Sequence, residues 1–185
     1  MEAPPPSDSL AHRVQRLEDR FAIGDLVAAY CTAIDDRDLE KFLSLFTEDA
    51  SLRHGDGVMR LAGRPAIRDY YTARFAAYGV TFHYPHAQTV VFDGPDSAGG
   101  AVTGHAEMSA DGELVLAAIR YTDAYRREPA GWRFAARELD FWYYMKLSDL
   151  PAGFSNGLRK HYRGGRIPAE LPESLESYRA WHPSV

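Results

Sequence analysis

Between Thr81 and Lys146 the chain is almost entirely strand-like, and this stretch constrains the fold more than any other feature. The runs 81–86, 89–92, 98–110, 113–127 and 132–146 are rich in β-branched and aromatic residues, and turn residues separate them. Asp111-Gly112, between two of the longest runs, is the strongest hairpin signal in the chain. The other breaks are Asp93-Gly94-Pro95-Asp96 and Glu128-Pro129-Ala130-Gly131. Long antiparallel strands of this kind need a cover for one face, and the first half of the chain supplies helices. Leu17, Phe21, Leu26, Tyr30 and Ile34 recur at helical spacing from about Leu10, which predicts one helix with these residues inward, ending near Ile34–Asp35. A second helix is expected over about 39–46 with Phe42, Leu45 and Phe46 inward, ended by Thr47-Glu48-Asp49. Two short strands near 50–53 and 58–61 are joined through Gly55-Asp56-Gly57. Gly63-Arg64-Pro65 opens a third helix carrying Ile67, Tyr70, Tyr71 and Phe75, and Gly79 closes it. Gly99-Gly100 reads as a bend or bulge within a strand.

The expected architecture is therefore α+β: helices packed on one curved, largely antiparallel sheet that wraps around a single pocket. Residues 1–9 (MEAPPPSDS) read as a disordered lead-in without signal-peptide order, 10–146 as the domain, and 147–185 as an irregular extension with a short helix over 170–181. That extension is expected to cover the pocket mouth or reach a neighbouring subunit.

Composition narrows the function. The net charge of −5 and the lack of a basic run remove the electrostatic footprint of a nucleic-acid binder. No apolar run approaches the roughly 18 residues of a membrane span. The single cysteine, Cys31, excludes an intramolecular disulfide and reads as a small buried hydrophobe. A cytoplasmic protein is the expectation.

Order and spacing of DRFAIGDLVAAYCTAIDDRD, FLSLFTEDA, GRPAIRDYY, FHYPHAQTVVFDG and YTDAYRREPAGWRFAARELDF together resemble the NTF2-like superfamily, and its SnoaL-like branch in particular. Within that branch the layout is similar to small cofactor-free lyases such as bile acid 7α-dehydratase and scytalone dehydratase. The resemblance implies a cone-shaped fold, a homodimer or homotrimer, no cofactor and no metal. It also implies a site in which Tyr30, Asp35 and His83 are catalytic, with His86 and Asp93 in step. An acidic residue of the first of these enzymes falls near Ala106 here, whereas His105 resembles a second pocket histidine of the other.

The chemistry of these residue types agrees with that site. A carboxylate bonded to one imidazole nitrogen fixes the tautomer and leaves the other nitrogen as a base. His105 enters the same pocket if its face of the strand, shared with Ala101, Thr103 and Glu107, looks inward. Tyr30 then polarises a carbonyl or hydroxyl oxygen. His54, Phe46, Phe141, Trp142 and Tyr143 are the expected lining for a small hydrophobic cyclic substrate. Each residue has a plainer reading as well. Asp35 suits an N-cap of the second helix, Tyr30 a core tyrosine, and His83 a satisfied core or rim histidine. His86, next to Pro85, is expected to point outward or to bond backbone. A ligand set of His83, His86 and His105 lacks the helical i, i+4 pairing of a zinc motif. The activity expected is that of a cofactor-independent dehydratase on a steroid- or polyketide-like ring system. An isomerase or cyclase, or a non-catalytic binding module, uses the same pocket.

Overall fold

Six strands of the eight-stranded sheet lie in the order β2 (Arg60–Ala62), β1 (Phe46–His54), β6 (Gly131–Lys146), β5 (Glu113–Glu128), β4 (Ser97–Ala110) and β3 (Thr81–Phe92), so the chain's second strand forms one edge and its third the other. The computed structural model describes residues 9–162 and 164–182. The lead-in expected over residues 1–9 lies outside the described residues except for Ser9. The hydroxyl of Ser9 caps α1 (Leu10–Asp35) by accepting the His12 N–H at 3.2 Å. Ile23, Leu26, Val27, Tyr30 and Ile34 form the buried face of α1. Leu17 and Phe21, expected inward with them, are exposed. At 3.6 residues per turn they fall on the opposite side of the helix cylinder from Ile23, Leu26 and Tyr30.

Asp38 caps α2 (Leu39–Ser44) by accepting the Lys41 N–H at 2.9 Å. The helix stops short of the expected Phe46 because strand pairing takes over. The Leu45 carbonyl accepts the Phe134 N–H at 2.9 Å, and Phe46 opens β1 (Phe46–His54), which runs parallel to β6 (Gly131–Lys146). Thr47, Glu48 and Asp49 therefore lie in a strand. The glycine-containing link returns the chain antiparallel into β2 (Arg60–Ala62), and α3 (Gly63–Ala77) follows as expected.

β3 (Thr81–Phe92), β4 (Ser97–Ala110), β5 (Glu113–Glu128) and β6 form an antiparallel meander. Asp111 and Gly112, at φ of 53° and 76°, make the tight turn their sequence predicts. The two expected runs 81–86 and 89–92 are one strand, interrupted by a register shift between Pro85 and Gln88. Gly99 and Gly100 are not at a bulge: they pair in register with Val91 and Val90. A Cβ on Gly100 would lie 2.1 Å from the Thr89 carbonyl oxygen, so the glycine serves close approach of two backbones.

The core is unusually aromatic. Tyr30, Phe42, Phe46, Tyr71 and Phe134 stack in tilted and edge contacts. The buried guanidinium of Arg137 lies among the Tyr30, Tyr121 and Phe134 rings. It forms a bidentate pair with the buried Asp123 at 2.8 and 2.7 Å.

After Lys146 a short 3-10 turn and α4 (Leu150–Gly153) lead to β7 (Lys160–Tyr162), which pairs with β6, and β8 (Gly165–Ile167). The helix expected over 170–181 is confined to α5 (Glu176–Trp181). The extension is fastened to the domain by the buried Lys160 ammonium, which bonds Asp56 of the first hairpin and Glu170. No helix among the described residues is long and apolar enough to cross a membrane.

Candidate active site

The last residue of α1 meets the first turn of β3. Asp35 Oδ1 lies 2.6 Å from His83 Nδ1, and Oδ2 accepts the His83 backbone N–H at 2.9 Å. Thr81 donates its hydroxyl to Asp35 Oδ1 at 3.1 Å while accepting from Arg37 Nη1 at 2.7 Å. Arg37 takes a left-handed conformation at φ 60° and returns its side chain to the Ile34 and Gly79 carbonyls. It thereby clamps the end of α1 to the start of β3. Asp38, not Asp35, caps α2, so the Asp35 carboxylate is free for His83. Burial pushes the Asp35 carboxyl upward, but hydrogen bonds from the His83 ring, its backbone and Thr81 outweigh it and hold the group below the usual range. Asp35 is therefore an anion at neutral pH. With Nδ1 occupied, Nε2 is the nitrogen left for chemistry, and it has no hydrogen-bond partner among the described residues.

His83 lines an inner chamber of about 50 Å³. Tyrosine hydroxyls supply most of the other polar groups in its wall. Tyr30, 1% exposed, sits with its hydroxyl 3.5 Å from that of Tyr71, and Tyr78 and Tyr144 pair at 2.9 Å. Burial raises Tyr30, Tyr71 and Tyr144 well above the normal phenol range, so all three remain proton donors. The Arg74 guanidinium lies 4.5 Å from the centre of the Tyr78 ring and 3.4 Å from the Tyr70 hydroxyl. A chamber of about 650 Å³ adjoins the inner one and shares His54, Tyr70, Arg74, Tyr78, Phe141 and Tyr144 with it. Lys160, His161 and Tyr162 of the extension line its outer part.

His54 lines both chambers, and its Nδ1 is buried without a partner among the described residues. Burial and the nearby Lys160 charge push its imidazole down to about 4, so it is neutral at pH 7. The sign of the linkage follows. The unfolded chain takes up this proton near pH 6.5 and the folded chain only near 4, so stability is complete above 6.5 and falls as the pH drops toward 4. The loss from this one residue reaches at most about 3 kcal/mol. Urea unfolding at pH 7 and pH 4.5 should show a larger drop for the native chain than for His54→Gln. Equal drops would mean that His54 is not neutralised by burial.

Four of the expected site residues lie elsewhere. Phe46 is fully buried in the aromatic core and lines neither chamber. His105 faces away from the cone: the buried face of β4 carries Val102, Ala106 and Met108. Its Nδ1 is 2.7 Å from Nε2 of His86, on the outer surface. Trp142 alternates outward from Phe141, and a register shift turns Tyr143 outward as well. Ile119 pairs with Phe141 and Ala118 with Tyr143, which leaves Trp142 as the extra residue of a bulge. Strict alternation is broken there, so Phe141 and Tyr144 face the inner chamber while Trp142 and Tyr143 face outward. His105, Trp142 and Tyr143 line a separate cavity of about 770 Å³ between the sheet and the extension, so the expected single pocket is two sites on opposite faces.

The sequence reading missed Arg37, Thr81, Arg74, Tyr78 and Tyr144. Spacing of four between Tyr70 and Arg74 carried a usable signal, since it puts two polar-tipped side chains on one helix face, with Tyr78 just past the helix end. Cys31 is buried and its thiol is pushed up to about 11, chiefly by burial, which leaves it a poor nucleophile. No group of three or more His, Cys, Asp or Glu side chains among the described residues is arranged to hold a metal ion.

Comparison with known proteins fits this architecture. No curated protein matches the chain. Among solved structures, a protein of Novosphingobium aromaticivorans provisionally named an aromatic ring hydroxylase is 31% identical, with a TM-score of 0.67 over 72% of this chain and 96% of that one. A second protein of the same organism, provisionally named a scytalone dehydratase, is 20% identical, with a TM-score of 0.66 over 70% and 87%. The hexachlorocyclohexane dehydrochlorinase LinA-type3 of Novosphingobium barchaimii is 22% identical, with a TM-score of 0.67 over 76% and 95%. The last two likenesses speak to the cone fold alone. The model of the SnoaL-like domain matches residues 15–138, more than half of the chain, and the protein belongs to that family.

Proposed function

We propose that the protein is a cofactor-independent lyase, a dehydratase acting on a hydrophobic cyclic substrate. The observation that carries this reading is the Asp35–His83 pair, with one histidine nitrogen held by the carboxylate and the other unpartnered at the chamber wall. His83 Nε2 takes a proton from the carbon next to a substrate carbonyl. The Tyr30 and Tyr71 hydroxyls donate to the carbonyl oxygen as negative charge develops there. The C–O bond of the neighbouring hydroxyl then breaks, and the imidazolium of His83 returns its proton to that oxygen, so that one water leaves. Asp35 stabilises the imidazolium in between. The inner chamber holds only the reacting end of such a molecule. The adjoining chamber, within the size range of small-molecule sites, takes the ring system.

Because His105 faces outward, His83 alone has to serve as both base and acid in this scheme, and that observation favours an alternative, double-bond isomerisation or ring closure. Those reactions need a base and an oxygen-side donor but no acid for a leaving group. Incubation with hydroxylated steroids, their thioesters and aromatic polyketides, followed by product mass, separates the two. Loss of one water by the native protein and not by His83→Ala supports the dehydratase. A mass-neutral product, again absent from the variant, moves the assignment to isomerase or cyclase. Full turnover by His83→Ala removes the pair from the mechanism.

A further inference from the structure

α1 has a second apolar face that the domain does not cover. Leu10, Val14, Leu17 and Phe21 are 73, 43, 57 and 75% exposed. Their spacings of four, three and four are those of the a and d positions of a coiled coil. Further along, the seam reaches the small, exposed Ala28, while Gly24 is half-buried with the Gln88 side chain of β3 beside it. The seam lies on the opposite side of the cylinder from Ile23, Leu26 and Tyr30, so a partner helix need not displace the domain.

The flanks of the seam carry opposite charges. Arg13 and Arg20 border it on one side, at g positions, and Glu18 and Asp25 on the other, at e positions, each acid five residues after an arginine. All four are exposed. Among the described residues the side chains of Arg13, Glu18 and Asp25 have no hydrogen bond or ion pair, and Arg20 donates only to the Val90 carbonyl at 3.0 Å. In a parallel pair of helices a g residue faces the e residue five positions on in its partner. Two copies of this helix in parallel register therefore join Arg13 to the other copy's Glu18, and Arg20 to its Asp25. In an antiparallel pair g meets g and e meets e, which sets like charges against each other.

We infer that the chain forms a parallel homodimer through this face of α1, with the partner a second copy of the same helix. Asp35 and Tyr30, at the far end of α1 and outside the seam, are left in place. Sedimentation equilibrium of the full chain should show a species of twice 20.7 kDa. Leu17→Asp with Phe21→Asp should weaken the dimer by at least about 100-fold while leaving the circular dichroism spectrum unchanged. Glu18→Lys with Asp25→Lys should dissociate it as well, and adding Arg13→Glu and Arg20→Glu should restore it. Association unaffected by Glu18→Lys/Asp25→Lys would indicate an antiparallel or different contact and overturn the assignment. So would a three-copy species, an unaffected Leu17→Asp/Phe21→Asp variant, or a native chain still monomeric at about 100 µM, where a dimer of even modest affinity forms.

Discussion

Asp35→Asn should lower kcat by about 10²- to 10⁴-fold with little change in KM, on whichever cyclic substrate the native protein turns over. The reason is tautomeric. In the native site the carboxylate accepts from His83 Nδ1–H, from the His83 backbone and from Thr81, and it has no hydrogen to give. An asparagine that keeps its oxygen in place of Oδ2, for the backbone N–H, puts its NH₂ group in place of Oδ1, facing Nδ1 and the Thr81 hydroxyl. The imidazole then carries its proton on Nε2, and the base facing the chamber becomes a donor. Nitrogen chemical shifts of the histidine ring test this without a substrate. The native protein should show His83 protonated on Nδ1, and the variant on Nε2. An unchanged tautomer, or unchanged turnover, would remove Asp35 from the role of orienting residue. His83→Ala should lose as much activity and gain little back at higher pH, because the other imidazole of the inner wall, His54, is held down to about 4 and is too weak a base to replace Nε2. The pH limit on the acid side follows from the carboxyl. Since the Asp35 group is held below its usual 3.8, the stability its hydrogen bonds contribute is complete above 3.8 and lost only as the pH falls through the lower folded value.

Much of this was legible in the residues because local chemistry dictated it. Asp111-Gly112 specified its turn, Pro65 its helix start, and the alternation of Val102, Ala106 and Met108 against His105 fixed that one face of β4 is buried. What alternation could not give was which face that was. The structure gives the answer: Ala106 is buried, and the two histidines meet on the exposed side. The aromatic run Phe141–Tyr144 failed for a different reason. A single extra residue in β6 shifts the parity of everything after it, and no residue type at Trp142 announces a bulge. Phe46 was misread because a strand partner 88 positions away, Phe134, competes with local helix propensity and wins. The Asp35–His83 link was legible through resemblance. Its supports, Arg37 and Thr81, were not, because nothing in an Asp-Asp-Arg-Asp cluster says which side chain turns back.

The Arg137–Asp123 pair predicts the largest stability effect in the molecule. Both side chains are essentially inaccessible, and Tyr125 donates a further hydrogen bond to Asp123 at 2.7 Å. Burial works against the guanidinium charge, and Asp123 more than offsets it, holding Arg137 cationic. Removing either partner leaves the other charge in the core with nothing to balance it. Arg137→Met and Asp123→Leu should each cost about 3–5 kcal/mol, which for a domain of this size lowers Tm by roughly 6–20 °C. The double variant Arg137→Met/Asp123→Leu should recover a good part of that loss, since it removes both charges together, although it leaves the Tyr125 hydroxyl without its acceptor. Thermal unfolding of the three variants provides the check, and additive losses in the double variant would show that the pair is not energetically coupled. The same guanidinium packs 4.1 Å from the centre of the Tyr30 ring. Arg137→Met should therefore also raise KM or lower kcat under conditions where it remains folded, because the wall that positions the Tyr30 hydroxyl has lost its backing. A native rate in a correctly folded Arg137→Met protein would confine the pair to holding the cone together and separate it from the chemistry at His83.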